Sequence, residues 1–418
     1  MPLKIIYIHQ YFNTPNMSGG TRSYEMARRF VRQGHEVHMI TSWREPLVDN
    51  SWFYSNIEGI NVHWLPIEYT NKMSFSNRIK AFLKFAIKSA NKAASIKADI
   101  IFATSTPLTI ALPAVYAAKI QKIPMVFEVR DLWPELPIVM GALKNPLTRF
   151  LARRLELFAY KNAQAINALS PGMKDGVIKT GFPSSNVSVI PNSSDIAMFN
   201  VSSDLGEDFR RARTWLGSDP LLLYTGTFGL INDVGYLVDL AIELHKIGSN
   251  IKILAIGGGI EFQKVEDYAK NSGVLNKNFF MEGYLKKREV PAALSAATIS
   301  TALFLDKPEM QSNSANKFFD SMAAGKPIMI NYGGWMHDLI QSRGCGLAMW
   351  RLPFSEVAKE LDRKIYDDEW LKRSSKASSL LAEDCFDRDV LAGQLLEVIE
   401  CAAQGHPDKS EMIAPGIY

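Results

Sequence analysis

The chain has 418 residues, 47% of them hydrophobic and 22% charged, which is the make-up of a folded globular protein rather than a disordered one. That length exceeds one comfortable core and points to two domains of roughly 200 residues each. A net charge of +4 is too small to imply nucleic-acid binding, and three cysteines (Cys345, Cys385, Cys401) with no CxxC pair exclude a disulfide framework or a zinc knuckle and suit a reducing cytoplasm.

The N-terminus runs from Lys4 into IIYI and polar HQYFNT, so no signal peptide is expected. KIIYIHQ, TRSYEMARRFVRQ and HEVHMITS predict strand, helix and strand, with Gly34 as the helix stop. Gly19 and Gly20 precede that helix, where a backbone lacking Cβ can approach a bound sugar or diphosphate; a turn capped by Thr21 is the plain alternative. Arg22 is expected to be exposed more readily than to reach a ligand, and His9 and Gln10 close the first strand.

From Asn71 to Ala98 the chain carries seven basic residues, Lys72, Arg78, Lys80, Lys84, Lys88, Lys92 and Lys97, and no acid. Helical spacing places Phe75, Ile79, Phe82, Leu83, Ala86, Ala90 and Ala93 on one face and Lys80, Lys84, Lys88 and Lys92 on another. A helix packed on a sheet with a solvated lysine face has this pattern, and so does one lying on an anionic membrane. The lack of acids favours the membrane, with Arg78, Lys80, Lys84 and Lys88 meeting it or an acceptor held there.

ADIIFAT, LTIALPAVYAAKI and PMVFEV continue the alternation of strand and helix. The apolar run PLTIALPAVYAA is interrupted by prolines and falls short of the ~20 residues a membrane span needs. EVRDLWPE then follows a strand, in the position where parallel sheets present ligand-binding residues. There Arg130 can stabilise a diphosphate leaving group and Asp131 can orient or deprotonate an acceptor hydroxyl; equally, both can pair with neighbours and hold the loop.

After residue 220 the pattern restarts with LLLYTGTFG, IKILAIGGG, FFMEGYL, TISTALFL and PIMINY, separated by helices. Two such series imply an α/β protein of two Rossmann-like domains facing across a cleft. The boundaries are drawn at 1–195, 196–385 and 386–418, with the polar stretch before Pro220 taken as linker. Gly226, Thr227 and Gly229 follow one strand; Gly257 opens a glycine run that lacks the third glycine of a dinucleotide fingerprint, which argues against a nicotinamide enzyme. Gly283 and Tyr284 end the third strand. In SANKFFDSMAAGKPIMI, Ser314 to Ile330, a helix N-terminus offers free N–H groups to a phosphate, Lys317 adds charge and Asp320 can accept from a ribose diol. Alternatively Ser314 or Asn316 caps a surface helix and both charges are solvated. Seven dispersed histidines make no metal-binding pattern, so no metal site is expected.

The run A-N-K-F-F-D-S-M-A-A-G-K-P resembles the donor-binding segment of family 4 glycosyltransferases of the two-Rossmann-domain (GT-B) type. MSGGTRSYEMARRFVRQGHEVHMIT is similar to that family's glycine loop and first helix, VIPNSSDIAMF to its hinge, and LLYTGTFG, ILAIGGG and MEGYL to its donor domain. EVRDLWPE resembles bacterial members that build surface polysaccharides, the N-acetyl-L-fucosamine transferases. The resemblance implies that Asn316, Lys317, Asp320, Gly283 and Tyr284 hold the nucleotide, and that the terminal segment packs back on the first domain. It further implies a retaining transfer from a UDP-N-acetyl amino sugar such as UDP-N-acetyl-L-fucosamine, a substrate and not a cofactor, with no metal and no nucleic acid. The acceptor expected is a polyprenyl-diphosphate-linked saccharide of O-antigen or capsule synthesis, met in the cytoplasm at the inner face of the membrane. Ser312, Thr227 and Arg130 depart from the family pattern. A nucleotide-sugar 2-epimerase of the same fold and a non-catalytic scaffold are the other readings.

Overall fold

The computed structural model describes every residue except Ser18, Pro46, Val48, Asn50, Thr70, Asn71, Lys72, Ala142 and 415–418, and the side chain of Phe75. Lys72 and the Phe75 side chain, both part of the expected basic amphipathic helix, therefore lie outside the described residues. The chain forms two units, one of Met1–Pro191 with the segment from Asp389 onward and one of Asn192–Arg388. The sequence reading had drawn these boundaries at 195 and 385.

The first unit is built on an eight-stranded sheet: β1 (Lys4–Ile8), β2 (Glu36–Trp43), β3 (Phe53–Ile57), β4 (Ile60–Pro66), β5 (Ile100–Thr104), β6 (Met125–Val129), β7 (Ala165–Ala168) and β8 (Val187–Val189). Its spatial order is β3-β4-β2-β1-β5-β6-β7-β8, parallel throughout except for the β3–β4 hairpin. That hairpin lies outside the strand–helix alternation of the sequence reading. It turns through Glu58 (φ 49°) and Gly59 (φ 86°), the paired positive φ that suits the twist of antiparallel strands. β5 and β6 are buried at every position because helices cover both faces of the sheet, which is why they read as continuous apolar runs. The helices are α1 (Arg22–Arg32), α2 (Phe75–Ser95), α3 (Ala111–Gln121), α4 (Glu135–Val139), α5 (Pro146–Lys161) and α6 (Pro171–Lys179). Phe85 of α2, Val115 of α3 and Ala159 of α5 meet Ile8, Ile101 and Phe127 of the strands in one core.

α2 buries a face different in part from the expected one. Ala81, Phe82, Phe85, Ala86, Ser89 and Ala93 are buried, whereas Leu83 stands 45% exposed. At 100° per residue Leu83 points away from Phe82, while Phe85 and Ser89 complete the stripe at spacings of three and four. Ser89 can occupy that apolar face because its hydroxyl donates to the Phe85 carbonyl at 2.6 Å. The C-terminal helix, Arg388–Ala403, buries Leu391, Leu395 and Ile399, and Arg29 of α1 bonds Asp389 at its start.

The second unit carries an all-parallel sheet of β9 (Leu221–Thr227), β10 (Lys252–Gly258), β11 (Phe279–Glu282), β12 (Ile299–Ala302), β13 (Ile328–Ile330) and β14 (Gly346–Ala348), in the order β11-β10-β9-β12-β13-β14. Its helices are α7 (Ile196–Phe199), α8 (Ser203–Arg211), α9 (Tyr236–Lys246), α10 (Phe262–Asn271), α11 (Val290–Ala296), α12 (Asn316–Ala323), α13 (Trp335–Arg343), α14 (Phe354–Ile365) and α15 (Asp368–Cys385). The stretch taken as linker contains α8, which is docked rather than free. A Cβ on Gly206 would come within 2.8 Å of the Ala296 backbone, so the glycine permits the close approach of α8 to α11, and Arg210 donates to the Ala296 carbonyl at 2.8 Å and 3.0 Å.

Phe85→Ala is expected to cost about 3–5 kcal/mol of stability in urea unfolding, since it leaves a cavity under α2. Leu83→Ala should stay within about 0.5 kcal/mol; equal losses at the two positions would mean the helix is rotated from the face described.

Candidate active site

In the second unit α12 is preceded by Ala315 at the cap position, whose methyl group cannot cap it, and among the described residues no side-chain cap bond is made. The expected capping by Ser314 or Asn316 is not realised. Ser314 is turned to Asn192, accepting from the Asn192 N–H at 3.0 Å through its hydroxyl and from the Asn192 amide at 2.5 Å through its carbonyl. The helix N-terminus thus keeps its partial positive charge without a side-chain acceptor.

Lys317, in the first turn, lies among aromatic rings. Its ammonium donates to the Tyr224 hydroxyl at 3.0 Å and stands 4.4 Å from the centre of the Tyr224 ring and 6.0 Å from that of Phe304. Among the described residues no carboxylate is paired with it. Burial therefore pushes its pKa down to about 7. A Cβ on Gly226 would sit 3.0 Å from the Lys317 ammonium, and one on Gly257 would sit 1.8 Å from the Gly226 carbonyl, so two neighbouring glycines at the ends of β9 and β10 clear the space beside it. Gly257 is also at φ +151°. Thr227 contributes its carbonyl to the Tyr224 hydroxyl at 2.7 Å, and Gly229 lies against Asn232. Tyr284 is 72% exposed, with its ring edge lying over Gly258. Gly283 has nothing near its missing Cβ. Asn316 is half-buried beside Lys317.

Asp320 is not in the solvated state that the plain alternative expects. It is buried, one oxygen accepting from the Ser194 hydroxyl at 2.8 Å and the other from Lys287 at 3.0 Å. Desolvation explains this: a buried carboxylate needs partners, and Ser194 with Lys287 supply them. Neither Ser194 nor Lys287 had drawn attention in the sequence, because no spacing links residues that far apart.

In the first unit buried charged and polar side chains gather at the carboxyl ends of β1, β5 and β6. Arg22, expected at the surface, is buried and paired with Glu128 of β6 at 2.8 Å. It also donates to the carbonyls of Pro191 at 2.7 Å and Ile190 at 3.0 Å. Thr104 and Asn167 donate to the same carboxylate at 2.7 Å and 3.0 Å. Burial alone would raise the Glu128 pKa, but the Arg22 charge and hydrogen bonds outweigh it and hold Glu128 below the usual carboxylate range. Arg130 approaches His9 Nε2 at 3.5 Å, and the Arg130 backbone N–H is held by Ser105 at 3.0 Å. Burial, then the positive charges of Arg130 and Arg44, keep His9 neutral. With Nε2 facing a guanidinium, the His9 proton belongs on Nδ1, which bonds Ser23 at 2.7 Å. Asp131 accepts from the Thr106 hydroxyl at 2.9 Å, and burial raises its pKa against the opposing pull of Thr106 and Arg130. Gly19 (φ +121°) needs its glycine, since a Cβ there would lie 2.5 Å from the Asn13 amide, which in turn donates to the Gly20 carbonyl at 3.2 Å.

Lys80, Lys84 and Lys88 are exposed along α2. Arg78 is not part of that stripe: it is half-buried and donates to the Met73 carbonyl at 3.2 Å. Lys92 stands 6.0 Å from the Trp52 ring. Among the described residues no cluster of His, Cys, Asp and Glu is arranged to hold a metal, and no helix is long and apolar enough to cross a membrane.

Two parallel-sheet α/β domains, one with an unpaired cation at a helix N-terminus beside glycine-lined strand ends, define a GT-B type of architecture. Sucrose-phosphate synthase from Thermosynechococcus elongatus shares the fold with a TM-score of 0.77 at 15% identity, over 96% of this chain and 99% of that one. HepE of Anabaena, solved with UDP and glucose, does so with a TM-score of 0.73 at 16% identity, over 95% and 99%. Residues 19–197 match the model of Glycosyltransferase Family 4. WcaI of Escherichia coli (strain K12), named as a colanic acid biosynthesis glycosyl transferase, is 25% identical over 282 residues, 64% of this chain and 69% of that protein.

Glu128→Gln is expected to cost about 3–5 kcal/mol by leaving Arg22 buried and unpaired. Because the folded pKa of Glu128 is depressed, its contribution is present at neutral pH and is lost as pH falls from about 4.3 through the folded value. The wild-type protein should therefore lose stability in acid more steeply than the variant; superimposable acid-unfolding curves would contradict the pairing. At the donor end, Gly257→Ala should lose about 1–3 kcal/mol or more in thermal unfolding through the clash with Gly226, whereas Gly283→Ala should change stability by no more than about 0.5 kcal/mol.

Proposed function

We propose that the second unit binds a UDP-linked sugar through the α12 N-terminus and Lys317, and that the first unit presents the acceptor. The donor is a UDP-N-acetyl amino sugar such as UDP-N-acetyl-L-fucosamine. The acceptor is a polyprenyl-diphosphate-linked saccharide of O-antigen or capsule synthesis, reached at the inner face of the cytoplasmic membrane. Transfer proceeds with retention and needs no metal or cofactor. The observation that carries this reading is the ammonium of half-buried Lys317, bonded to a neutral phenol and facing no carboxylate among the described residues. Such a cation is costly alone and is stabilised by an arriving anion.

In glycosyl transfer the largest electrostatic demand is the charge that develops on the departing diphosphate. Lys317 and the first-turn N–H groups of α12 meet it with dipoles already in place. Gly226 and Gly257 let the diphosphate approach the strand ends without a Cβ in the way. Tyr284 offers an exposed ring as a face for the base, and Asp320, held by Lys287 and Ser194, has acceptor capacity left for the ribose. On the acceptor side Asp131 receives the hydroxyl proton, its raised pKa making it a better base than an exposed aspartate. Arg130, held by His9 and Ser105, keeps positive charge beside it.

The test is UDP binding by calorimetry from about pH 6 to about pH 8.5. Only the ammonium form of Lys317 binds the diphosphate, so affinity should fall about tenfold per pH unit above the free pKa and binding should take up a proton there. Lys317→Met should bind about tenfold or more weakly and show no such slope. An affinity that does not change across that range in the wild-type protein would remove Lys317 from the donor site.

A further inference from the structure

At the carboxyl end of the first unit's sheet two arginines have found no acid. Arg44 follows β2, Arg130 follows β6, and both are half-buried. Among the described residues neither makes an ion pair. Of the carboxylates beside Arg130 in the chain, Glu128 is taken by Arg22 and Asp131 accepts from Thr106; Glu45, next to Arg44, is exposed. Both guanidiniums act on His9, which Arg130 approaches at 3.5 Å, and they keep its ring neutral, so His9 offers them no counter-charge.

Arg44 is held from two sides. It bonds the Asn13 side-chain oxygen, and the Asn13 amide donates to the Gly20 carbonyl at 3.2 Å, which ties the guanidinium to the glycine loop before α1. Its Cζ stands 6.0 Å from the centre of the Tyr11 ring, and Tyr11 packs on Tyr69 with ring centres 4.9 Å apart. Aromatic walls exclude water and strengthen the pull on an anion. A guanidinium carries several N–H donors, and the bond to Asn13 leaves most of those of Arg44 unused. Gln10, next to His9, is wholly buried, and neither end of its side-chain amide has a partner among the described residues. The Trp43 indole N–H, next to Arg44, is buried without an acceptor as well. The Gln10 carbonyl accepts from the Ser42 hydroxyl at 2.7 Å, so these groups meet where β1 and β2 end. Native interiors rarely leave polar groups unused, and an arriving polar ligand accounts for several in one place.

We infer that Arg44 and Arg130 form an anion subsite on the acceptor side of the first unit, taking a phosphate or diphosphate ester carried by the acceptor. It rests on the reading of this unit as the acceptor side and supplies the residues that recognise the acceptor's charge. A phosphate has oxygens enough to accept from both guanidinium forks at once, whereas a carboxylate that fills one fork leaves the other unpaired. Arg130 immediately precedes Asp131, so an anion held there keeps the acceptor beside the group that takes its proton. Asn13 is a positioning residue, acting on the anion through Arg44.

Calorimetric titration of the Lys317→Met protein, in which the donor cation cannot contribute, tests it with N-acetylglucosamine 1-phosphate, farnesyl diphosphate and neutral N-acetylglucosamine. At least one phosphorylated probe should bind about tenfold or more tightly than the neutral sugar. Binding of the prenyl diphosphate alone assigns the ester to a lipid and binding of the sugar phosphate alone to a soluble acceptor; either supports the subsite. Adding Arg44→Met should weaken phosphate binding about tenfold or more, and Arg44→Lys should restore part of it. In an otherwise wild-type chain, Arg44→Met should leave UDP affinity unchanged. Failure of both phosphorylated probes to bind, equal affinity for phosphorylated and neutral probes, or phosphate binding indifferent to Arg44→Met overturns the subsite and leaves the UDP-binding reading standing. A parallel fall in UDP affinity in Arg44→Met would assign the arginine to the donor and overturn the inference. The comparison of phosphorylated with neutral probes needs no change at Arg44, so it decides the matter even where Arg44→Met does not fold.

Discussion

The first unit depends on the ion pair between Arg22 and Glu128. Both side chains are out of water, and such a pair survives only when every remaining hydrogen-bonding group is used. Here most of them are: Glu128 takes Arg22, Thr104 and Asn167, while Arg22 also takes the carbonyls of Ile190 and Pro191. One carboxylate thereby fixes the start of α1 behind the glycine loop, the ends of β5, β6 and β7, and the chain where it leaves β8. Glu128 lies two residues before Arg130, so the loop bearing Arg130 and Asp131 departs from an anchored point. The buried network thus limits where the first residues of that loop can lie.

The second unit uses its central cation in the opposite way. Arg22 finds its counter-charge within the protein, whereas Lys317 finds aromatic rings and a phenol, and burial depresses its pKa. A paired buried cation stabilises a fold; an unpaired one stores a preference for a ligand. Lys287 shows that the distinction is local. It lies in the same unit and is taken by Asp320, so it holds α12 in place, while Lys317 has no carboxylate partner among the described residues.

The alternation of strands and helices, and with it both sheets, was legible because β-branched runs and helical spacing are local properties of the chain. So were Gly19, Gly257 and Lys317, where a missing side chain or a charge sits at a predictable strand or helix end. Partnerships were not legible. Arg22 looked like a surface residue because nothing nearby in sequence reveals Glu128, more than a hundred residues away. The same limit hid the Ser194–Asp320–Lys287 chain and the Tyr224 phenol beside Lys317. α8 was mistaken for linker since its polar composition masks Gly206 and Phe209, the residues that dock it. Leu83 was assigned to the core because Phe85, a better fit to the same stripe, had been left out of it.

Charge distribution separates what composition averages away. A net charge of +4 suggests an unremarkable surface, yet the layer of α2, α3 and α5, with ten cations and one buried acid, is embedded in a chain that is otherwise net acidic. Random placement of like charges at that density would repel, and selection for solubility alone would intersperse acids among them. Solubility alone also gives no reason for Ile87, Ile120, Leu147 and Phe150 to stand exposed among the cations, since each costs contact between apolar surface and water.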